Sequence, residues 1–475
     1  MSKRVIILGG GESGTGAAML AKKVGYDVFV SDSGLLKEKY KSVLNANAIS
    51  FEEDVHSEER ILNSDLIIKS PGIPDKAELI KKIKSKGIEI MDEIEFAFIH
   101  LDSRQPVKGS SEVTAKIIGI TGTNGKTTTT LLTYHLLKSA NLNVALAGNV
   151  GESFAGKVAE GNCDWYVLEL SSFQLDGTKT FKPDIGILLN ITPDHLDRYE
   201  YKMENYINSK FQLIQNMDAD GSFIFYVDDK VTCAEVKGRK IVPKEIPVSL
   251  LPKTSSVYSD GDTMHFNFAG EEFQIAQQDT TLKGSHNLIN TMSAVSAARI
   301  SGVSVANIKA ALKTFKNAPH RLEPVGTING VEFINDSKAT NVDSVVYALG
   351  SYTQKLVWIA GGIDKGNDYN IIKEEVKNKV RTLICLGKDN QKLMDFFGGI
   401  VNEIKETQSV KELVRMALES AKAGDVVLLS PACASFDLFK NYEDRGNQFR
   451  AAVEELEKEV RSQNSEVSRI LSSNS

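Results

Sequence analysis

The stretch Ile117–Thr130, IIGITGTNGKTTTT, places a short apolar strand, a glycine-rich turn and a helix start in direct succession. Backbone N–H groups of such a turn, with the helix N-terminus behind it, form an anion site. Lys126 is spaced to reach the β- and γ-phosphates of a nucleotide, and the Thr127 hydroxyl to ligate Mg²⁺. The P-loop pattern asks for glycine five residues before Gly125, where this chain has Ile120; Gly122 does the turning instead. The bland alternative is a Thr-rich turn with an exposed lysine. Strand, GKT and helix in this order favour ATP or GTP, held by Gly122, Thr123, Asn124, Gly125, Lys126, Thr127 and Thr128.

The segments that follow repeat one habit: an apolar strand ending in polar residues. Val144–Ala147 leads to Gly148-Asn149, Trp165–Leu168 to Glu169, and Ile185–Leu189 to Asn190 and then Asp194-His195. Strands apolar on both faces belong to a parallel sheet, whose strand ends meet at one ligand edge. Glu169 therefore stands where P-loop enzymes keep the acid that positions Mg²⁺; the alternative is a capping or surface glutamate. His195 is open between a ligand and a loop histidine that caps or packs. Lys210, on a helix expected over Tyr201–Met217, reads from composition as an exposed helical lysine. The region Gly221–Gln278 is β-rich and predicts a meander on the domain flank, and Ser285 is a candidate N-cap for an Ala-rich helix to about Ile300.

Upstream, strand Val5–Leu8 runs into Gly9-Gly10-Gly11-Glu12-Ser13-Gly14, and a second strand ends at Asp32. This is the dinucleotide fingerprint, which supports a nucleotide-like diphosphate more safely than a nicotinamide cofactor. Strand Leu66–Lys69 ends in Ser70-Pro71-Gly72 on the same presumed edge. Asp92, Glu93 and Glu95 read as a solvated helix start. Leu101 to Thr114 is polar and reads as a linker, and Ala318-Pro319-His320-Arg321 as a hinge. Beyond the hinge, strands Val331–Asn335, Leu356–Ala360, Thr382–Leu386 and Val426–Leu429 end in lysine, aspartate, serine and glycine, which suit a small carboxylate-bearing substrate. A charged helix to about Val460 and a frayed Ser/Asn-rich tail close the chain.

The fold class is thus α/β with three domains: residues 1–104 Rossmann-like, 105–318 a P-loop ATPase-like parallel sheet, 319–461 Rossmann-like, and 462–475 a tail. A length of 475 residues allows about two to four domains. The net charge of −6 argues against nucleic-acid or acidic-membrane binding. Four cysteines without a CxxC pair fit a reducing cytosol. No apolar run spans a membrane, and a strand starting almost at once leaves no room for a signal peptide. A nucleotide site flanked by two other substrate sites favours ATP-driven ligation over simple hydrolysis.

TGTNGKTTT, ELSSFQL, NITPDHLDRY, GSHN, PHRLE, NDSKATN, GGIDKG and LSPACASFDLFKNYEDRG, in this order, resemble the Mur ligases over nearly the whole chain. The DNPR motif of the members that add a diamino acid is absent, and LSPACASFD favours the D-glutamate-adding members. The resemblance implies a cytoplasmic enzyme of peptidoglycan synthesis, serving cell shape and division. It would join D-glutamate to UDP-N-acetylmuramoyl-L-alanine through an acyl phosphate and a tetrahedral intermediate, releasing ADP and phosphate. It implies ATP and two Mg²⁺ ions, one on Thr127 and Glu169, the other on His195 and Lys210. Lys210 would be carbamylated by CO₂, the reverse of its reading from composition. Lys126, Asn149, His195 and Lys210 would be catalytic. Asn287, Arg321 and Asp336 would complete the ATP site. Ser13, Gly14, Asp32, Ser70, Asn149 and His195 would bind the UDP-sugar, and Lys338, Lys365, Ser435, Phe436 and Tyr442 would bind D-glutamate. Glu12 departs from the pattern, since an acid beside a diphosphate must turn away or bind through a metal or water. Which of Ile363, Asp364 and Lys365 faces the amino acid stays open. A monomer is expected. The alternatives are another Mur-type or folylpolyglutamate-type ligase, a nicotinamide oxidoreductase, which leaves the P-loop unexplained, and a nucleotide-dependent switch.

Overall fold

The computed structural model describes residues 2–102, 115–161, 163–268 and 270–473. Within them the chain forms three α/β sheets, gathered into two compact units: Met1–Thr281 with Asn287–Phe315, and Leu282–His286 with Lys316–Ser475. The expected linker falls outside the described residues beyond Asp102, where the helix Glu93–Asp102 ends.

The first sheet comprises β1 (Arg4–Leu8), β2 (Asp27–Ser31), β3 (Ser50–Glu52), β4 (Leu66–Lys69) and β5 (Glu89–Asp92), all parallel in the order β3-β2-β1-β4-β5. Val5, Ile6, Ile7 and Leu8 are wholly buried, as a central parallel strand covered on both faces requires. The second sheet comprises β6 (Lys116–Thr121), β7 (Val144–Gly148), β8 (Trp165–Glu169), β9 (Ile185–Leu188), β10 (Ser222–Tyr226), β11 (Lys244–Ser249), β12 (Val257–Asp260), β13 (Thr263–Phe268) and β14 (Glu271–Ala276). Their order is β14-β13-β12-β11-β10-β9-β6-β8-β7. The P-loop strand β6 thus lies between β9 and β8.

The region Gly221–Gln278 differs from the flanking meander its sequence predicts. Ser222–Tyr226 is apolar on both faces and joins β9 in parallel, and the helix Lys230–Gly238 crosses over to β11. Only β12–β14 form an antiparallel meander, and it continues the same sheet. The helix expected over Tyr201–Met217 is shorter, Met203–Phe211, because its last turn tightens to a 3₁₀ turn at Gln212–Ile214. Ser285 is the first residue of its helix rather than the cap.

The acids Asp92, Glu93 and Glu95 are buried, not solvated. Glu93 Oε1 accepts from Ser153 Oγ and Ala155 N, both at 2.6 Å. Glu95 accepts the N–H groups of Lys179, Thr180 and Phe181 at 2.9, 2.8 and 3.0 Å, and the Thr180 hydroxyl at 2.6 Å. Asp92 Oδ1 accepts from Ile94 N. For Glu93 and Glu95, donors on the segments after the second sheet's strands replace the water the carboxylates give up. They join the first two sheets, as does the close packing of helix Glu12–Lys23 on helix Phe154–Glu160. A Cβ at Gly16 would stand 2.0 Å from Ser153 Oγ, and Lys23 Nζ donates to Ala159 O.

The second unit is built on β15 (Glu323–Ile328), β16 (Val331–Asn335), β17 (Leu356–Gly361), β18 (Val380–Leu386), β19 (Glu403–Thr407) and β20 (Val426–Ala432), in the order β15-β16-β20-β17-β18-β19. Only β15 runs antiparallel to its neighbour. Trp358 is fully buried, edge-on to Phe397, and donates from Nε1 to Ser430 O. The final helix, Tyr442–Ser473, runs past the expected end near Val460.

Candidate active site

Gly122 and Gly125 turn the P-loop at φ 152° and 85°. Gly125 is the N-cap of the helix Lys126–Ser139 and brings no side chain to its N–H groups, the usual condition for an anion there. The end of β9 holds the loop from the side. Thr123 N donates to Asn190 O, Asn124 N to Asn190 Oδ1, and Asn190 Nδ2 to Asn124 O. Lys126 Nζ donates to Gly122 O at 2.8 Å and Thr123 O at 2.7 Å, folded over the cradle. On the helix, Thr129 Oγ1 donates to Asn290 Oδ1, and Asn290 Nδ2 to Asn287 Oδ1. That relay ties Asn287 to the P-loop helix.

Register brings Ile120, Gly148 and Glu169 side by side at the same sheet edge. Asn149 donates twice to Glu169, from its backbone to the carbonyl at 2.8 Å and from Nδ2 to Oε1 at 2.6 Å. Glu169 Oε2 is buried without a hydrogen-bond partner. Lys210 is 1% exposed, which overturns its reading as a surface lysine. Its Nζ donates to Gly122 O at 2.8 Å and Thr121 Oγ1 at 3.4 Å, and lies 5.0 Å from the centre of the Tyr206 ring. Burial, then the Lys126 ammonium, push its pKa well below the ordinary lysine value. The Tyr206 hydroxyl in turn meets Thr123 Oγ1 at 3.1 Å.

His195 sits in a left-handed turn at φ 51°. Its ring packs edge-on to Phe173 and stands 3.6 Å from Asp194. Three residues on, Arg198 stacks on the same Phe173 ring and donates to Pro71 O, joining the His195 loop to the Ser70-Pro71 end of β4. In the first sheet Asp32 accepts the N–H groups of Gly10 and Gly34 at 2.7 and 2.8 Å, shaping the loop that leads into the helix bearing Ser13 and Gly14. A Cβ at Gly14 would fall 1.8 Å from Gly9 O, so only glycine fits. Glu12 turns to Lys39 at 3.3 Å.

In the second unit, three strand ends meet. Lys338 Nζ donates to the Tyr442 hydroxyl at 2.6 Å and lies over its ring. Ser435 is buried, whereas Phe436 stands exposed beside it. Asp364 accepts the N–H groups of Gly366 and Asn367, the Tyr369 hydroxyl and Lys392 Nζ. It is therefore engaged in bracing the loop that carries Lys365. Asp336 accepts from Ser430 Oγ and Leu322 N, and burial raises its pKa to about 7. Arg445, fully buried, is bonded into all three strand ends.

Three family profiles match the chain: the MurD N-terminal domain over residues 4–79, the Mur ligase middle domain over 120–298, and the Mur ligase glutamate ligase domain over 320–433. The UDP-N-acetylmuramoylalanine–D-glutamate ligase of Cytophaga hutchinsonii is 52% identical over 458 residues, 96% of this chain and 100% of the relative. The chain belongs to the Mur ligase family. The enzyme of the same name from Bacteroides fragilis is 48% identical over 455 residues, again 96% of this Mur ligase and 100% of the relative. Among solved structures, UDP-N-acetylmuramate-alanine ligase of Thermotoga maritima superposes with a TM-score of 0.60 at 18% identity, covering 96% of this chain and 100% of that one. MurF ligase of the same organism, in complex with ADP, gives 0.59 at 14%, covering 92% and 95%. At those identities the two structures support the shared three-sheet fold.

Of the residues expected at this Mur ligase's site, Asn149 and Glu169 lie at the P-loop end of the second sheet, and Lys126, Thr127, Lys210 and Asn287 on three helices of the same unit. Arg321 and Asp336, expected with the nucleotide, belong to the second unit, with the Lys338, Lys365, Ser435, Phe436 and Tyr442 set. The sequence reading missed Tyr206, Asn290, Arg198 and Arg445. Two carried a signal: Tyr206 is one turn before Lys210, and Asn290 three residues after Asn287 in an otherwise small-residue helix. Arg445 lies within the quoted run LSPACASFDLFKNYEDRG, but reads there as one charge among several.

Proposed function

We propose that this Mur ligase uses ATP to join the amine of D-glutamate to the alanyl carboxylate of UDP-N-acetylmuramoyl-L-alanine. The reading rests on relatives named for that activity, which are 52% and 48% identical over 96% of this chain. The geometric observation that carries it is one sheet edge where a P-loop, a buried lysine and a buried carboxylate meet. The carboxylate of the acceptor attacks the γ-phosphorus of ATP, and ADP leaves. The amine of D-glutamate then attacks the acyl carbon, a tetrahedral intermediate forms, and phosphate leaves as the amide closes. Between two anions such a transfer needs charge neutralisation and alignment more than covalent help. Lys126 supplies the first when its ammonium exchanges the Gly122 and Thr123 carbonyls for phosphate oxygens. Asn149, oriented by Glu169, aligns the acceptor's reacting end.

The unpartnered Glu169 Oε2 fits a hard divalent ion. Mg²⁺ on Thr127 and Glu169, with a second on His195 and Lys210, would neutralise charge on the phosphates. Few carboxylates gather here; among the described residues no group of three or more His, Cys, Asp or Glu is assembled. Mg²⁺ sites that take most ligands from phosphate and water need no more. Lys210 as a neutral amine adds to CO₂ with loss of one proton, and the carbamate is an oxygen ligand in place of a cation. Ser13, Gly14, Asp32 and Ser70 bind the uridine diphosphate group. Asn287, Arg321 and Asp336 serve the nucleotide, and Lys338, Lys365, Ser435, Phe436 and Tyr442 the D-glutamate. The functional division is 1–104, 105–318 and 319–461. We further propose a monomer working in the cytoplasm. Its four cysteines are all free, and among the described residues no helix is long and apolar enough to cross a membrane.

Acceptor labelled with ¹⁸O in its alanyl carboxylate tests the chemistry. With ATP, Mg²⁺ and D-glutamate, the released phosphate carries one label per amide formed. Amide formation with unlabelled phosphate would overturn the acyl-phosphate route.

A further inference from the structure

We propose that Arg445 is the positioning residue of the amino-acid pocket, a buried clasp that sets three separate loops and, through Ser337, the Lys338–Tyr442 pair. The proposal rests on the assignment of these loops to D-glutamate. Arg445 Nε donates to Ser337 Oγ at 2.9 Å and Nη2 to Ser337 O at 2.8 Å. Nη1 donates to Gly361 O at 3.4 Å and Cys433 O at 3.3 Å. One planar fork thus fixes the loops after β16, β17 and β20. The first carries Lys338, the second Lys365, the third Ser435 and Phe436. Ser337 Oγ passes the restraint on, donating to Tyr442 O at 2.8 Å, and the Tyr442 hydroxyl accepts from Lys338 Nζ at 2.6 Å.

At 1% exposure, Arg445 lies behind the pocket wall, where it shapes the wall without touching the substrate. Burial pulls its pKa down to about 10, so the guanidinium stays charged at neutral pH. A buried cation with carbonyl partners is retained only where geometry repays its desolvation. Lysine carries the same charge but a single nitrogen head, which cannot span acceptors on three loops in one plane.

The test measures KM for D-glutamate, ATP and the muramoyl acceptor in wild type, Arg445→Lys and Ser337→Ala, with melting temperature alongside. Arg445→Lys raises the KM for D-glutamate at least about tenfold and leaves the other two within about twofold. Ser337→Ala, which keeps the guanidinium, moves the same constant in the same direction by about threefold or more. It also supplies the answer if the lysine variant does not fold. An unchanged KM for D-glutamate in the folded variants, or three constants that rise together, would overturn the positioning role. Saturation of the wild type by D-glutamate upholds the substrate reading whatever the variants do; absence of saturation overturns both.

Discussion

Alanine at position 125 would put a methyl group 2.4 Å from Asn290 Oδ1 and 3.1 Å from Leu189 Cδ1. The backbone there is left-handed, φ 85°, which costs an L residue about 1–2 kcal/mol. Forcing one carbon into packed space adds about 1–3 kcal/mol. Asn290 cannot step aside freely, because its Oδ1 accepts from Thr129 and its Nδ2 donates to Asn287. The strain of about 2–5 kcal/mol falls on the loop that cradles the phosphates. Taken from ATP affinity, even the lower figure is about thirtyfold. Titration calorimetry with a non-hydrolysable ATP analogue measures it. Gly11→Ala is the control, since a Cβ there meets nothing within 4 Å, and it binds the analogue as wild type does. An analogue affinity for Gly125→Ala within about threefold of wild type, with an unchanged melting temperature, would refute the reasoning.

Glu95→Ala leaves the N–H groups of Lys179, Thr180 and Phe181 without their acceptor, at about 1–3 kcal/mol each before the loop relaxes; the urea midpoint should fall clearly, and an unmoved midpoint sinks the clamp. Burial raises the Glu93 carboxyl from 4.5 to about 7, so the folded chain keeps a proton the unfolded chain loses. That contribution is whole below pH 4.5 and is lost as pH rises to about 7, on the order of 3 kcal/mol. Glu93→Gln flattens the stability curve across that window, as denaturant titrations at several pH values would reveal; parallel curves would contradict it. Glu169→Gln keeps the shape but removes the orphan carboxylate oxygen. Turnover should drop at least about a hundredfold and need more Mg²⁺, and an unaltered Mg²⁺ titration would remove Glu169 from the metal.

What the sequence disclosed were the features carried by local pattern. Strand ends announced themselves because parallel strands are apolar throughout and stop abruptly at polar residues. The P-loop, Asn149, Glu169 and Lys338 were all found that way. Lys210 was not legible from its own helix, since a lysine looks alike whether it faces solvent or a P-loop carbonyl; only resemblance marked it. Asp92, Glu93 and Glu95 misled for the same reason. A carboxylate at a helix start is solvated by default, and the partners of Glu93 and Glu95 here are hydroxyl and N–H groups 60 to 86 positions away in sequence. The strands after Gly221 were seen, but not their pairing, because composition does not say which edge a strand joins. Arg445 stayed hidden because three of its partners are backbone carbonyls, which leave no trace in side-chain chemistry.

The most direct test of the central claim is phosphate release from ATP and Mg²⁺ with UDP-N-acetylmuramoyl-L-alanine and one amino acid at a time: D-glutamate, L-glutamate, L-alanine, L-lysine or meso-diaminopimelate. Release with D-glutamate alone, matched mole for mole by the amide product, is the predicted result. Release with another amino acid, or D-glutamate consumption without ATP cleavage, would contradict it.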